Sequence, residues 1–174
     1  MRKVAIDDVD PDPYDAELHA DRRDLTDQLN ASNVAISRYV LEPGERFSGS
    51  LHTHMDQEEV FLVLEGTATF ETTAVDGAGE DAVDVAVAAG EAIRFAPGEF
   101  QSGRNAGEEP VVAIALGAPR DSDVVRISRI PVLDDHDVSC PECGRDDMRI
   151  ARGGDGDPDA DFVCPDCGGT LDVP

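Results

Sequence analysis

The sequence predicts an all-β protein, built from short strands and followed by a small cysteine-rich segment. Three observations support this: a series of short β-branched stretches separated by turn residues, a His-x-His pair with a nearby glutamate, and two C-x2-C pairs near the C-terminus. A chain of 174 residues can bury one sizeable core and carry a small appendage.

Residues 1–32 are polar and are expected to form an N-terminal extension that packs on the main domain. The stretch DVDPDPYD is typical of turns, and DRRDLTDQL is predicted to form a short helix or a loop against the rim of the domain. The β-rich domain is expected over residues 33–130.

Six stretches within residues 33–130 have the composition of strands. Turn residues such as Gly66, Gly90 and Gly98 separate them at close intervals. Many short strands at this spacing favour a sandwich or a barrel. The stretches are NVAISRYVL, EEVFLVLEG, TATFETTAV, DAVDVAVAAG, EAIRFAP and PVVAIALGAP.

His52 and His54 form the most informative pair in the chain. Residues i and i+2 of a strand point to the same face, so both imidazoles can reach one metal ion. Glu59 follows five residues later. Two histidines and one carboxylate can hold a divalent transition metal, with Fe, Mn, Ni and Zn as the candidates, and leave positions open for substrate or oxygen.

This region resembles the first motif of the cupin superfamily, in which a glycine precedes H-x-H, a glutamate follows, and a glycine closes the motif. Glu59 and Gly66 fall at the expected positions, whereas seven residues separate Gly44 from His52 where five is usual. The second cupin motif, G-x5-P-x-G-x2-H-x3-N, aligns without a gap with GEAIRFAPGEFQSGRN, residues 90–105. The resemblance implies a single jelly-roll barrel.

Two positions depart from the second motif. Ala96 replaces the proline, and Gln101 replaces the histidine that is usually the fourth metal ligand. An amide oxygen is a weaker ligand than imidazole for a transition metal. Gln101 is therefore either a fourth, oxygen ligand or a hydrogen-bonding neighbour of a bound water or substrate. The alternative is that these residues belong to a barrel that holds no metal.

The strand that begins at Glu59 is apolar on both faces. If Glu59 points inward, Phe61 and Val63 line the barrel, and Val60, Leu62 and Leu64 point outward. An outward apolar face needs a cover. Homodimerisation through this sheet, which cupins often use, is the preferred explanation, and burial under the N-terminal segment or a second sheet layer is the alternative.

Residues 131–174 are predicted to form a zinc ribbon. Cys140 and Cys143 form one C-x2-C pair, and Cys164 and Cys167 form a second after twenty residues. Four thiolates complete a tetrahedral zinc shell, so the metal is expected to be structural. Redox couples or disulfides, and a rubredoxin-like iron site, are the alternatives.

The ribbon is acidic, with 12 acidic and 3 basic residues and therefore a net charge of −9 from residue 131 onward. This charge opposes phosphate contacts, so a protein-interaction module or a cap on the barrel is expected instead. Between the knuckles, GGDGDPDAD superficially resembles a calcium loop but lacks the required glycine, and it is interpreted as a solvated loop.

The whole chain has a formal charge of −24, with 25 Asp and 13 Glu against 13 Arg and one Lys. This composition resembles that of proteins adapted to molar salt, where screening suppresses self-repulsion. It argues against nucleic acid or an anionic membrane as a partner. No apolar run is long enough to span a bilayer and no signal peptide is evident, so a cytoplasmic location is expected.

His19 and His136 have no ligand-spaced companion and are expected to be ordinary surface residues. Several side chains could border the barrel mouth, where an arginine could bind a carboxylate or pair with a neighbouring acid. They are Arg38, Arg46, Arg94, Phe95 and Arg104.

Two functions fit these features. The first is a metal-dependent enzyme that acts on a small molecule, since cupins include dioxygenases, isomerases and decarboxylases. The second is a non-catalytic cupin that senses a ligand or metal and signals through its ribbon to a partner protein. Metal storage is a weaker third possibility. No Ser-His-Asp set or phosphate-binding glycine loop indicates another reaction class.

Overall fold

The computed structural model describes residues 1–72, 82–151 and 160–173, and these residues are almost entirely β-structure. A 3-10 helix covers Ile6–Asp8 and the four-residue helix α1 covers Thr26–Leu29. The strands are β1 Asp21–Asp24, β2 Ala35–Leu41, β3 Leu51–His54, β4 Glu58–Glu65, β5 Thr67–Thr72, β6 Val83–Ala88, β7 Ala92–Phe95, β8 Gln101–Arg104, β9 Val111–Ala118, β10 Val125–Ile130, β11 His136–Asp137, β12 Met148–Ile150, β13 Phe162–Val163 and β14 Thr170–Leu171.

Two antiparallel sheets form the barrel. The first has the order β1-β2-β9-β4-β7, and the second runs β14-β13-β12-β10-β3-β8-β5-β6, with β11 paired to β10. Each of the six predicted stretches contains an observed strand, so the prediction of an all-β jelly roll followed by a small ribbon is confirmed. The end of the third stretch and the start of the fourth lie outside the described residues.

Aromatic rings fill the barrel core between the two sheets. Phe70 is fully buried and stacks on Phe47 with ring centroids 5.6 Å apart. Gly103 allows this packing, since a Cβ there would lie 2.5 Å from Phe70 and 2.6 Å from Phe47. Real Cβ atoms do not approach that closely, so only glycine fits this position of β8.

The faces of β4 are as predicted from the alternation. Phe61 and Val63 are 3% and 1% exposed and belong to the core, whereas Leu64 is 52% exposed. Val60 and Leu62 are half-buried on the outer face, where they lie opposite Leu116 and Ile114 of β9. Strands β4 and β9 therefore carry an apolar patch on the outer face of the first sheet, beside Arg38 and Arg94.

The N-terminal extension is tied to the barrel more firmly than the sequence predicts. β1 adds to the edge of the first sheet by pairing with β2, and α1 follows it.

The prediction that His19 is a surface residue is wrong. Its side chain is fully buried, its Nδ1 lies 2.9 Å from the carbonyl oxygen of Arg46, and its ring packs edge-on against Tyr14 and Tyr39.

The C-terminal ribbon, whose described residues are 131–151 and 160–173, continues the second barrel sheet. Its strand β12 pairs with β10, which in turn pairs with the histidine strand β3. The predicted boundary between residues 130 and 131 coincides with the end of β10. The division into segments 1–32, 33–130 and 131–174 nevertheless stays a prediction.

A second apolar cluster lies beneath the ribbon. Ile127 and Ile130 of β10 pack there with Met148 and with the thiols Cys140 and Cys164.

The aspartates of GGDGDPDAD up to Asp159 lie outside the described residues. Among the residues that are described, no helix is long and apolar enough to cross a membrane.

Candidate metal centres

Three strands from both sheets bring the barrel cluster together. His52 and His54 lie on β3 of the second sheet, and Glu59 reaches them from β4 of the first sheet. One ligand atom from each of these three residues lies within 4.8 Å of the others. Gln101 sits on β8 directly opposite His52. The residues that the sequence proposes as one site are therefore neighbours across the barrel interior.

His52 is oriented by the loop that precedes it. Its Nδ1 lies 3.1 Å from the carbonyl oxygen of Ser50 and 3.3 Å from Oγ of Ser48. A carbonyl can only accept, so Nδ1 carries the proton that it donates to Ser50. Nε2 then carries the lone pair, as it does in a histidine that binds a metal through this atom.

His54 lies 3.7 Å from Glu59, measured from Nε2 to Oε1. Burial lowers the pKa of His54, and Glu59 opposes this effect by attraction. The imidazole is consequently neutral at neutral pH and can act as a ligand. Its Nδ1 is buried without a hydrogen-bond partner among the described residues.

Gln101 is 2% exposed and contacts two of the proposed ligands. Its Nε2 donates to Oε2 of Glu59 at 2.9 Å and lies 3.3 Å from Nε2 of His52. Its Oε1 is buried and has no partner among the described residues. The two imidazoles and the carboxylate are themselves a donor set that fits a divalent transition metal.

A cavity of about 310 Å³ opens over this cluster. Its described lining contains no arginine or lysine and combines the polar cluster with aromatic and aliphatic walls. The lining residues are Tyr14, Tyr39, Phe47, Ser48, Gly49, Ser50, His52, His54, Glu59, Phe61, Gln101, Ala115, Val125, Ile127 and Ile150.

The side chains proposed for the barrel mouth lie elsewhere. Arg94 pairs with Glu58 at 2.7 Å and Arg104 pairs with Asp84 at 2.6 Å, both away from the cavity lining. Arg38, Arg46 and Phe95 are also absent from the cavity lining. Arg38 contacts Asp21, Nη1 of Arg46 donates to Ser102, and Phe95 belongs to the hydrophobic core. Three of these four arginines, Arg38, Arg94 and Arg104, therefore pair with acidic side chains.

Sequence reasoning missed Tyr14 and Ile150, which both line the cavity. Tyr14 comes from the N-terminal extension and donates its hydroxyl to the carbonyl oxygen of Phe47. Burial raises the pKa of Tyr14, so it remains a neutral donor. A tyrosine within an otherwise polar segment was the available signal for Tyr14, whereas nothing in the sequence placed Ile150 at the barrel.

The four cysteines of the ribbon form a second cluster, with their sulfur atoms all within 4.8 Å. Sγ of Cys140 lies 3.5 Å from that of Cys167, and Cys143 and Cys164 are 3.6 Å apart. These separations are those of unbonded thiols around a common centre rather than disulfides. The pKa of Cys164 is lowered to about 7, mainly by a hydrogen bond from the backbone amide of Cys167.

Arg145 links the two knuckles from outside the sulfur cluster. Its guanidinium contacts Asp147 and Asp166, each at 2.7 Å. Gly144 and Gly168 end the two knuckles with φ of 76° and 79°, a conformation that favours glycine. The donor set and its surroundings therefore fit a closed four-thiolate metal site.

The last residue of the second motif has a structural task. Asn105 is 1% exposed, and its Nδ2 donates to the carbonyl oxygens of Leu41 and Glu109, both at 2.9 Å. Its Oδ1 accepts from the backbone of Gly107. Asn105 therefore holds the turn between β8 and β9 and does not reach the cavity lining.

Residues 37–117 match the cupin domain family. This part of the chain is a cupin domain. It contains all four residues of the barrel cluster, whereas the N-terminal extension and the ribbon fall outside the match. No curated protein matches the sequence significantly.

Solved structures share the cupin fold. A candidate sugar phosphate isomerase from Acidithiobacillus ferrooxidans is similar at 26% identity and a TM-score of 0.50, over 60% of this chain and 63% of that one. This chain thus spans less than two thirds of its length. A sugar phosphate isomerase of the cupin superfamily from Silicibacter pomeroyi is similar at 22% identity and TM-score 0.53, covering 71% and 85%.

An oxalate oxidase in complex with glycolate is similar at 18% identity and a TM-score of 0.50, covering 60% of this chain and 52% of that one. At these identities, the similarity to the Silicibacter protein and to oxalate oxidase is one of fold. The activity of this chain has to be argued from its own residues.

Proposed function

We propose that the cupin barrel binds one divalent transition metal through His52, His54 and Glu59 and acts on a small molecule held in the cavity above it. The convergence of one ligand atom from each of the three residues carries the proposal. Such a metal, when bound, would polarise a substrate oxygen or activate oxygen at open coordination positions.

The surrounding residues support a site that handles ligands. Ser50 orients His52, and Gln101 holds Glu59 by a hydrogen bond, so the side chains of His52 and Glu59 both have a fixed orientation. Tyr14 also lines the cavity, and its neutral hydroxyl donates to the carbonyl oxygen of Phe47. The dioxygenase, isomerase and decarboxylase classes remain the candidate reactions.

A second function is supported by Gln101, which stands where most cupins carry a fourth histidine. Loss of an imidazole ligand weakens metal binding, which suits a non-catalytic sensor that exchanges its metal or ligand. The ribbon would then transmit the bound state to a partner protein.

The experiment that tests metal binding is metal analysis of protein purified in molar salt and reconstituted with Fe, Mn, Ni or Zn. We expect one thiolate-bound zinc and one further metal per chain. His54→Ala and Glu59→Gln should each lose the further metal and keep the zinc, whereas the control His136→Ala should keep both. A single zinc per chain, with no second metal ion of any kind in the reconstituted wild type, would refute the barrel site.

The ribbon is proposed to bind one structural zinc through Cys140, Cys143, Cys164 and Cys167. The four thiolates would fill all tetrahedral positions of the ion and leave none for a reacting water. The acidic surface of the chain also supports the proposals of a cytoplasmic, salt-adapted protein that contacts neither nucleic acid nor membrane.

A homodimer is proposed through the outer face of the first sheet. Leu64 is 52% exposed there, and the half-buried side chains of β4 and β9 extend the apolar surface around it. Pairing two such faces would remove this surface from water.

A further inference from the structure

The C-terminal ribbon contributes directly to the barrel cavity. Ile150 of β12 lines the cavity together with Val125 and Ile127 of β10, although it lies outside residues 37–117. We propose that the ribbon forms one wall of the ligand cavity and that Ile150 sets the length of the apolar tail that a ligand can carry. This inference rests on the proposed metal site of the barrel.

The strand order explains how the ribbon reaches the site. β12 pairs with β10 so that Met148 lies opposite Ile127, and β10 pairs with β3 so that Ile127 lies opposite His52. The ribbon is therefore separated from the histidine strand by a single strand. Ile150 lies two residues beyond Met148, which places both side chains on the same face of β12.

Ile127 connects the ribbon core to the cavity. It is 8% exposed and lines the cavity, and it also packs in the cluster that contains Cys140 and Cys164. Met148, fully buried, belongs to the same cluster. The position of the Ile150 wall thus depends on the packing around the cysteine site, which fixes β12 against β10.

The cavity lining combines two kinds of chemistry. His52, His54 and Glu59 present polar atoms, and Val125, Ile127 and Ile150 on the neighbouring strands β10 and β12 present only hydrocarbon. The described lining offers no arginine or lysine to a second anionic group. The ligand class that fits is a small molecule with one metal-binding polar end and one uncharged apolar end.

The test compares two neutral probes that share a metal-binding head, 1-methylimidazole and 1-butylimidazole. They are titrated at pH 8 against the full chain with zinc in the ribbon and Co²⁺ in the barrel, and binding is read from the Co²⁺ absorption spectrum. Burial of one methylene is worth about 0.8 kcal/mol, or about fourfold in Kd. With partial burial, we expect 1-butylimidazole to bind wild type about tenfold more tightly than 1-methylimidazole.

Two substitutions should change this preference in different ways. Ile150→Ala removes the wall and should reduce the butyl preference severalfold, whereas Ile150→Trp fills the cavity and should reverse it. The affinity for 1-methylimidazole should stay within about twofold in both variants. Leu133→Ala is the matched control, since Leu133 is also 38% exposed but does not line the cavity, and it should behave as wild type.

Each other outcome contradicts the inference in an identifiable way. An unchanged butyl preference in both Ile150 variants, or an equal loss in Leu133→Ala, would show that the ribbon is not the wall. Co²⁺ binding without probe binding would refute the ligand cavity but leave the metal site intact. Failure of wild type to bind Co²⁺ in the barrel would refute the proposed function and this inference with it.

Discussion

Gln101 donates its amide Nε2–H to Oε2 of Glu59 across the barrel, at 2.9 Å. The two residues come from opposite sheets, β8 in the second and β4 in the first. The hydrogen bond therefore fixes the carboxylate at the point where it faces His54. Gln101 acts on the site through Glu59 even where its own oxygen does not bind the metal.

The first prediction concerns substitution of Gln101. Gln101→Ala removes the hydrogen bond to Glu59 and should weaken barrel-metal affinity by roughly 10- to 100-fold, the usual effect of losing an outer partner of a ligand. Gln101→His supplies a fourth imidazole and should raise the affinity by about tenfold or more. Competition titration with a chelator measures both. Unchanged affinity in Gln101→Ala would contradict the positioning role.

Much of the site was predictable because it depends on local spacing. The two histidines share a face in any extended strand, and the C-x2-C knuckles form over five residues, so sequence alone indicates both clusters. Each of the six β-rich stretches likewise corresponds to a strand. Glu59 was predicted as the third ligand, whereas its approach from the opposite sheet was not predicted.

The remainder depends on contacts between distant segments. β1 is the charged sequence DRRD, and only its pairing with β2 makes it a strand. His19 is buried because it packs between Tyr14 and Tyr39, which no spacing rule connects. Ile150 reaches the cavity through the pairing of β12 with β10, a contact between strands eighteen or more residues apart.

The second prediction concerns the outer apolar face of the first sheet. Leu62 lies on it opposite Ile114, so Leu62→Glu should place a charge in the proposed interface and convert the dimer to a monomer. Light scattering coupled to size exclusion in molar salt measures the mass. Leu133→Glu, on another surface, is the control and should leave the mass unchanged. A monomeric wild type would contradict the dimer.

The third prediction concerns His19. Burial lowers its pKa below the ordinary value of 6.5, so it is neutral in the folded protein. Between pH 6.5 and the lower pKa of the folded state, His19 is protonated in the unfolded chain but not in the folded one. The free energy of unfolding therefore decreases as the pH falls through this window. His19→Asn keeps a donor for the carbonyl of Arg46 but cannot titrate.

Denaturant unfolding at several pH values between 5 and 7.5 tests this expectation. Wild type should lose more stability on acidification than His19→Asn, and the two curves should run parallel above pH 7. Equal acid sensitivity in both proteins would show that His19 does not titrate between the folded and unfolded states.

The fourth prediction concerns zinc in the ribbon. Removal of zinc, or Cys143→Ser, should disorder β12 to β14, because metal binding supplies folding energy that this short segment lacks. Hydrogen exchange of the amides of Met148–Ile150 should then accelerate by orders of magnitude, while the core strand β9 stays protected. Unchanged protection of β12 after complete zinc removal would contradict a structural metal.

The fifth prediction concerns salt. With a net charge of −24, the folded chain repels itself, and the screening length grows from about 3 Å in 1 M salt to about 30 Å at 0.01 M. Dilution into low salt should therefore lower the thermal midpoint steeply and finally unfold the protein. Sodium chloride and potassium chloride should protect alike. Full cooperative stability in salt-free buffer at neutral pH would contradict salt adaptation.

The most direct measurement of the barrel site is anomalous diffraction from crystals grown in molar salt after reconstitution with Mn²⁺ or Fe²⁺. The account predicts two peaks, one at the zinc edge among the four cysteine sulfurs and one at the edge of the added metal, bound by His52, His54 and Glu59. Imidazoles that diverge, with no metal peak in the barrel despite a saturating supply, would contradict it.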